Sequence, residues 1–349
     1  MRNSLHGRNY FLQLRNWLTG FILLAPLLVV FRNGLNYWGY DYYALTWSAA
    51  WPEPLSVFSV ENFGNLAIAH LLGVDTRLGW VSLHVGLTVT FFLLLIHFVN
   101  REIVEVNAKQ SLFVVLLASP LSMMLMQEIG YFDVLTVVGA LVMANALSNP
   151  GRILGALVMA SGNTPQALIA TFIFCFSLSL LHKSRSLKRL VGFSPFFVVS
   201  LVWLLERLWL NGVGRTEEFG PGMWSYSFKG FLIASPLFLY SLLGPLVVLI
   251  PKIHSRVGHS IKSNEVQVIL GFLLIPGIFG IITTESTRDA LCIIAPTILW
   301  YIRREIITFG LRVNNWEKIA LCTLPCFLIW RQGALVEPWG ILHRYFFRT

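Results

Sequence analysis

The chain has 349 residues, 56% of them hydrophobic and only 12% charged, with a mean hydropathy of +0.67. A soluble domain carries about 25% charged residues, so the composition excludes an ordinary water-soluble domain and predicts an integral membrane protein. The formal charge of +9 is then topology information, and no nucleic-acid partner is expected.

The N-terminus is basic (Arg2, Arg8, Arg15) and enters an apolar run without a small-residue cleavage site. That pattern predicts a retained first helix over 17–31 rather than a cleaved leader. Next comes the stretch 33–77, NGLNYWGYDYYALTWSAAWPEPLSVFSVENFGNLAIAHLLGVDTR. Pro52 and Pro54 break it, and Tyr37, Trp38, Tyr40, Tyr42, Tyr43, Trp47 and Trp51 suit a water–lipid boundary. It is expected to be a long first external loop.

Apolar runs of membrane length then predict spans over 78–99 and 111–126 and, after the polar break QEIGYFDV, 133–147. A turn at Ser148-Asn149-Pro150-Gly151 follows. The run 153–181 is too long for one helix, and SGNTPQ interrupts it with turn chemistry. It splits into a short segment, 153–160, and a fuller one, 167–181. The short piece must be shielded by protein or re-enter, because bare backbone ends are not tolerated in lipid. Further spans fall at 190–210, 231–250, 266–283, 290–301 and 319–330. The expected fold class is therefore all-α: a polytopic bundle of about 10–11 membrane segments forming one transmembrane domain over 1–349. External loops lie at about 32–78 and 211–229, and no soluble domain is expected.

With a cytoplasmic N-terminus, 17 of the 26 Lys and Arg residues fall on the cytoplasmic side, as the positive-inside rule requires. Twelve of the 17 acids fall outside, a skew that insertion does not require. The working surface is expected on the non-cytoplasmic face. The absence of an Asn-x-Ser/Thr acceptor site favours a bacterial source and hence an inner, cytoplasmic membrane.

Three places put ionisable groups at external span ends: Asp41 in GYDYY, Glu128 with Asp133 in EIGYFD, and Glu285, Arg288 and Asp289 in TTESTRDA. Charges at membrane depth are functional candidates because they are costly unless paired or hydrated. Each has a plainer reading: Asp41 as a loop acid, Glu128 and Asp133 as caps, and Arg288 as a clamp for phosphate or merely a counter-charge to Glu285. Asn163 and Gln166 either bond a sugar hydroxyl or satisfy backbone freed at Pro165. The motif HKSRSLKR reads as an orientation signal with affinity for anionic lipid, and Glu206-Arg207 as an interfacial pair. His70, His84 and His97 lack metal-ligand spacing and read as core or interface residues. Cys175, Cys292, Cys322 and Cys326 read as apolar packing residues. The sequence identifies no cofactor; it leaves room for a divalent cation but shows no ligand motif for one.

A first span, a long aromatic external loop carrying an acid, short irregular spans and external ionisable clusters together resemble the GT-C superfamily of polytopic glycosyltransferases. They also resemble the membrane polymerases of bacterial surface polysaccharides. GYDYY, EIGYFD and TESTRDA carry the resemblance; the paired-acid form often seen in the first loop is absent, since Tyr42 follows Asp41. The resemblance implies a sugar transferred from a polyprenyl-phosphate-linked donor to a glycan or lipid acceptor, in company with envelope-biosynthesis proteins. It makes Asp41 the general base and Arg288 the group nearest the donor phosphate. Glu128, Asp133, Glu285, Asp289, Asn163 and Gln166 then line the substrate. The competing classes are a transporter or flippase built on the broken segment 153–181, and a non-catalytic assembly protein.

Overall fold

The computed structural model describes residues 21–35, 37, 41–102, 105–127, 129–181, 191–215, 240–257, 271, 286–326, 328–330 and 334–336. It is predominantly helical. The first apolar run forms α1 (Phe21–Asn33). The aromatic stretch is not an open loop but folds into three short helices: α2 (Asp41–Ala50), α3 (Val57–Glu61) and α4 (Phe63–Leu71). Ser56 starts α3 with a reciprocal capping box to Ser59, which satisfies two amide donors of the first turn.

The next run is α5 (Arg77–Glu102), long and apolar enough to cross a bilayer. Only 17% of its apolar window is buried, and Val85, Val89 and Leu93 face outward. A helix of this length that turns leucine and valine outward needs lipid or another apolar surface around it.

The run 111–126, expected as one span, is broken. It forms α6 (Val106–Leu117) and α7 (Pro120–Gln127), bent by 48° at Ala118-Ser119. Pro120 has no amide hydrogen and cannot continue the ladder of α6. Helix α8 (Asp133–Asn145) follows the sequence expectation closely.

The run 153–181 does divide within SGNTPQ, into α9 (Asn149–Gly162) and α10 (Thr164–Leu181). Helix α9 is longer than the expected short segment. It runs antiparallel along α8, which shields it as the sequence requires. Glycines permit this: a Cβ on Gly155 would lie 2.5 Å from the Met143 amide nitrogen, one on Gly139 2.3 Å from that of Met159, and one on Gly162 2.4 Å from that of Thr136. Small residues let two backbones touch where apolar burial supplies little drive between helices.

Helix α11 (Ser194–Gly212) covers the next run, and α10 is the second helix long and apolar enough to span a bilayer. Residues 231–239 lie outside the described residues; the rest of the run 231–250 holds a 3-10 turn, Gly244–Leu249, and α12 (Ile250–Val257) follows. Of the expected span 266–283, only residue 271 is described. Helix α13 (Ser286–Ile307) is nearly twice its expected length. The last expected span, 319–330, is corrected: α14 (Asn315–Thr323) stops before Pro325. Leu328–Trp330 (β1) then pairs antiparallel with Ala334–Val336 (β2).

Two arrangements of buried charge hold the helices together. Arg32, buried at the end of α1, donates to the Leu321 carbonyl at 2.7 Å and the Ala118 carbonyl at 3.2 Å. These carbonyls belong to the ends of α14 and α6, which would otherwise be unsatisfied away from water. One end of α13 carries Arg288 and Asp289; near the other, Glu305 receives Arg256 at 2.5 Å. At 1.5 Å per residue these two charged layers are about 25 Å apart. Lys252–Glu317 at 2.6 Å and Arg312–Glu105 at 2.5 Å join the Glu305 layer.

Gly155→Val should lower the thermal unfolding midpoint in detergent, by about 1–3 kcal/mol of overpacking. Leu154→Val, on the exposed side of the same helix, should leave it nearly unchanged. Equal midpoints for the two variants would contradict the α8–α9 contact.

Candidate functional site

The site is assembled from the starts of three helices. Asp133 is the first residue of α8, Arg288 and Asp289 lie in the first turn of α13, and Gln166 lies in the first turn of α10. Acids at helix starts meet the positive end of the helix dipole. An arginine there does not, and needs counter-charge.

Arg288 is buried and finds that counter-charge in two carboxylates. Its Nη1 donates to Asp133 Oδ2 at 2.7 Å and its Nη2 to Asp289 Oδ1 at 3.3 Å. Its guanidinium carbon sits 3.9 Å from the Tyr131 ring centroid, a cation–π contact. The Gln166 side-chain amide donates to the same Asp289 oxygen at 2.8 Å.

Asn163 begins α10 as an N-cap, its side-chain oxygen accepting from the Gln166 amide at 3.0 Å. This is the plainer role weighed for Asn163, and N-capping is what asparagine does best there. Its side-chain nitrogen reaches Asn62 at 3.4 Å. Next to it Thr164 donates to Glu206 at 2.6 Å, and Arg207 pairs with Glu61. The two neighbours Glu206 and Arg207 therefore do not form a lone interfacial pair. They bind inward, to the head of α10 and to the first loop. Burial pushes the Glu61 carboxyl up from its ordinary value and Arg207 opposes it.

The head of α10 thus stands between two charged clusters. One holds Asp133, Arg288 and Asp289; the other holds Glu61, Glu206 and Arg207. The sequence pointed to the first. It missed Glu61, whose only signal was an acid among apolar residues in SVENFG.

Part of the aromatic stretch is tied to this site. Asn65 donates to the Phe132 carbonyl at 2.8 Å and the Trp80 indole to the Gly130 carbonyl at 2.9 Å. Gly130 has φ +96°, a conformation open to glycine. Trp47, Phe58 and Trp80 surround the Phe132 ring with centroids at 6.3, 5.4 and 5.7 Å. Tyr42 and Tyr43 are exposed.

Of the sequence-predicted residues, Asp133, Asn163, Gln166, Arg288 and Asp289 come together. Asp41 opens α2, but its side chain, with Glu128 and Glu285, lies outside the described residues. Among the described residues no group of three His, Cys, Asp or Glu side chains could hold a metal ion. No family model, curated protein or solved structure matches the chain.

Asp133→Asn should destabilise the protein by about 3–5 kcal/mol, because it leaves a buried arginine short of counter-charge. The double variant Asp133→Leu/Arg288→Met should recover much of that loss. Denaturant unfolding in micelles measures both, and an Asp133→Asn variant as stable as the parent would remove the ion pair from the account.

Proposed function

We propose that this chain is a multi-pass membrane glycosyltransferase acting on the non-cytoplasmic face, its donor a polyprenyl-linked phosphosugar. The observation that carries this reading is the convergence of EIGYFD, SGNTPQ and the start of α13 on the Arg288–Asp289 pair, beneath the first aromatic loop. Arg288 is the natural seat for the donor phosphate. Asp133 is the more buried of its two partners, with 4% side-chain exposure against 17% for Asp289. A phosphate therefore displaces Asp289, which keeps Gln166, while Arg288 keeps Asp133 and the Tyr131 ring.

In the reaction Asp41 takes the proton of the acceptor hydroxyl as its oxygen attacks the anomeric carbon. The bond from that carbon to the phosphate oxygen breaks, and the polyprenyl phosphate leaves with its negative charge against Arg288. The aromatic side chains of the first loop offer faces to the sugar. In this reading the N-terminus is cytoplasmic, the host membrane is a bacterial inner membrane, and the spans number about 10–11.

One observation favours a transporter or flippase instead. The helix pair α6 and α7 is bent at Ser119 within an apolar run, and discontinuous helices mark transport sites. Product chemistry separates the two: a transporter moves the lipid-linked sugar without cleaving it.

Purified protein in liposomes containing a polyprenyl phosphosugar and an acceptor lipid should release polyprenyl phosphate. Asp41→Asn should cut that release about 100-fold or more without changing the unfolding midpoint. Undiminished release by Asp41→Asn would remove the aspartate from the mechanism. Sugar crossing the bilayer with its phosphate bond intact would favour the transporter.

A further inference from the structure

Asp133 has a second oxygen that Arg288 does not use. Oδ1 is buried and has no partner at hydrogen-bonding geometry among the described residues, although the Cys292 thiol and the Gln166 side chain lie against the same carboxyl. On α5, one turn beyond Trp80, His84 is in the same position. Its Nδ1 lies 3.1 Å from the Trp80 carbonyl. A carbonyl only accepts, so Nδ1 carries the hydrogen and Nε2 is left with a lone pair. Nε2 is also buried and without a partner.

The two residues line one cavity of about 10 Å³, together with Thr88, Gly130 and Tyr131. Apolar side chains of α7 and α8 complete its walls. Two acceptors cannot bond to each other. Leaving both unmet in the interior would be costly, since a buried polar atom without a partner forfeits its hydration. What satisfies both must be small and must carry two hydrogens, and a cavity of this size takes about one water molecule.

We propose that His84 and Asp133 form a binding site for a single water, which donates one hydrogen to Nε2 and the other to Oδ1. His84 is then a positioning residue for Asp133: through the water it fixes the carboxylate that holds Arg288. This inference is independent of the transferase reading, since it concerns only how the ion pair is held.

The test uses the full chain in lipid vesicles. Infrared spectra should show a buried-water O–H band that shifts when the solvent is exchanged for H₂¹⁸O. His84→Leu should abolish that band, and His84→Gln, which keeps an acceptor in the side chain, should retain it. A measurement on the unsubstituted protein guards against a variant that fails to fold. With ¹⁵N-labelled histidine, assigned through His84→Gln, Nδ1 should report a bound hydrogen and Nε2 a hydrogen-bonded lone pair. The proposal is overturned by an Nε2 signal of a free lone pair, by the absence of an isotope-sensitive band, or by a band that survives His84→Leu. An Nε2 signal that moves on adding Zn²⁺ and returns with chelator would assign the cavity to a metal instead, and would equally overturn it.

Discussion

A guanidinium in a protein interior keeps its proton, so Arg288 dictates what surrounds it. It cannot be neutralised by losing charge and must be met by carboxylates. One comes from its neighbour Asp289 and the other from Asp133, 155 positions earlier in the chain. Because Asp289 is also held by Gln166, the same charge fixes the starts of α8, α10 and α13 against one another. Both acids sit at helix starts, where the dipole favours them. The arginine bridges two positive helix ends only because two acids lie between.

Arg32 handles the opposite helix ends. It also is buried, but its partners are carbonyls where α6 and α14 stop, together with the Asn33 side chain at 2.8 Å. Those helices stop because prolines follow them, and their last carbonyls face away from water. A cation at a helix C-terminus is favoured by the dipole. The two arginines thus complete helix ends that apolar packing alone leaves open. Around them the surface of α5 stays apolar, which accords with lipid contact there.

Much of the helical pattern was legible. Residues 78–99 and 133–147 read as helices because their apolar runs are uninterrupted, and the break inside SGNTPQ was visible in its turn residues. The bend at Ser119 was not, since Ser111–Met126 stays apolar throughout and only Pro120 signals it. Pro325 was likewise a stop sign inside an apolar run, and β1 lies beyond it. Among site residues, Asp133, Arg288, Asp289 and Gln166 stood out as polar groups at the ends of apolar runs. Their pairing did not, because nothing local links residue 133 to residue 288. Glu285 looked like the natural partner of Arg288 by helical spacing, whereas the described partners are Asp133 and Asp289. Glu61 was passed over, and Glu206 was read only as a pair with Arg207, because each has its partner in a distant element.

The transferase proposal requires the two charged layers to lie on opposite sides of a bilayer. Single cysteines at Tyr42, on α2 of the first loop, and at Trp316, near the Glu305 layer, test this directly, since both positions are strongly exposed. The four native thiols are buried and should stay silent to a membrane-impermeant maleimide. In sealed vesicles of known orientation, Tyr42→Cys should label only from the non-cytoplasmic side and Trp316→Cys only from the cytoplasmic side. Labelling of both from the same side would contradict the account.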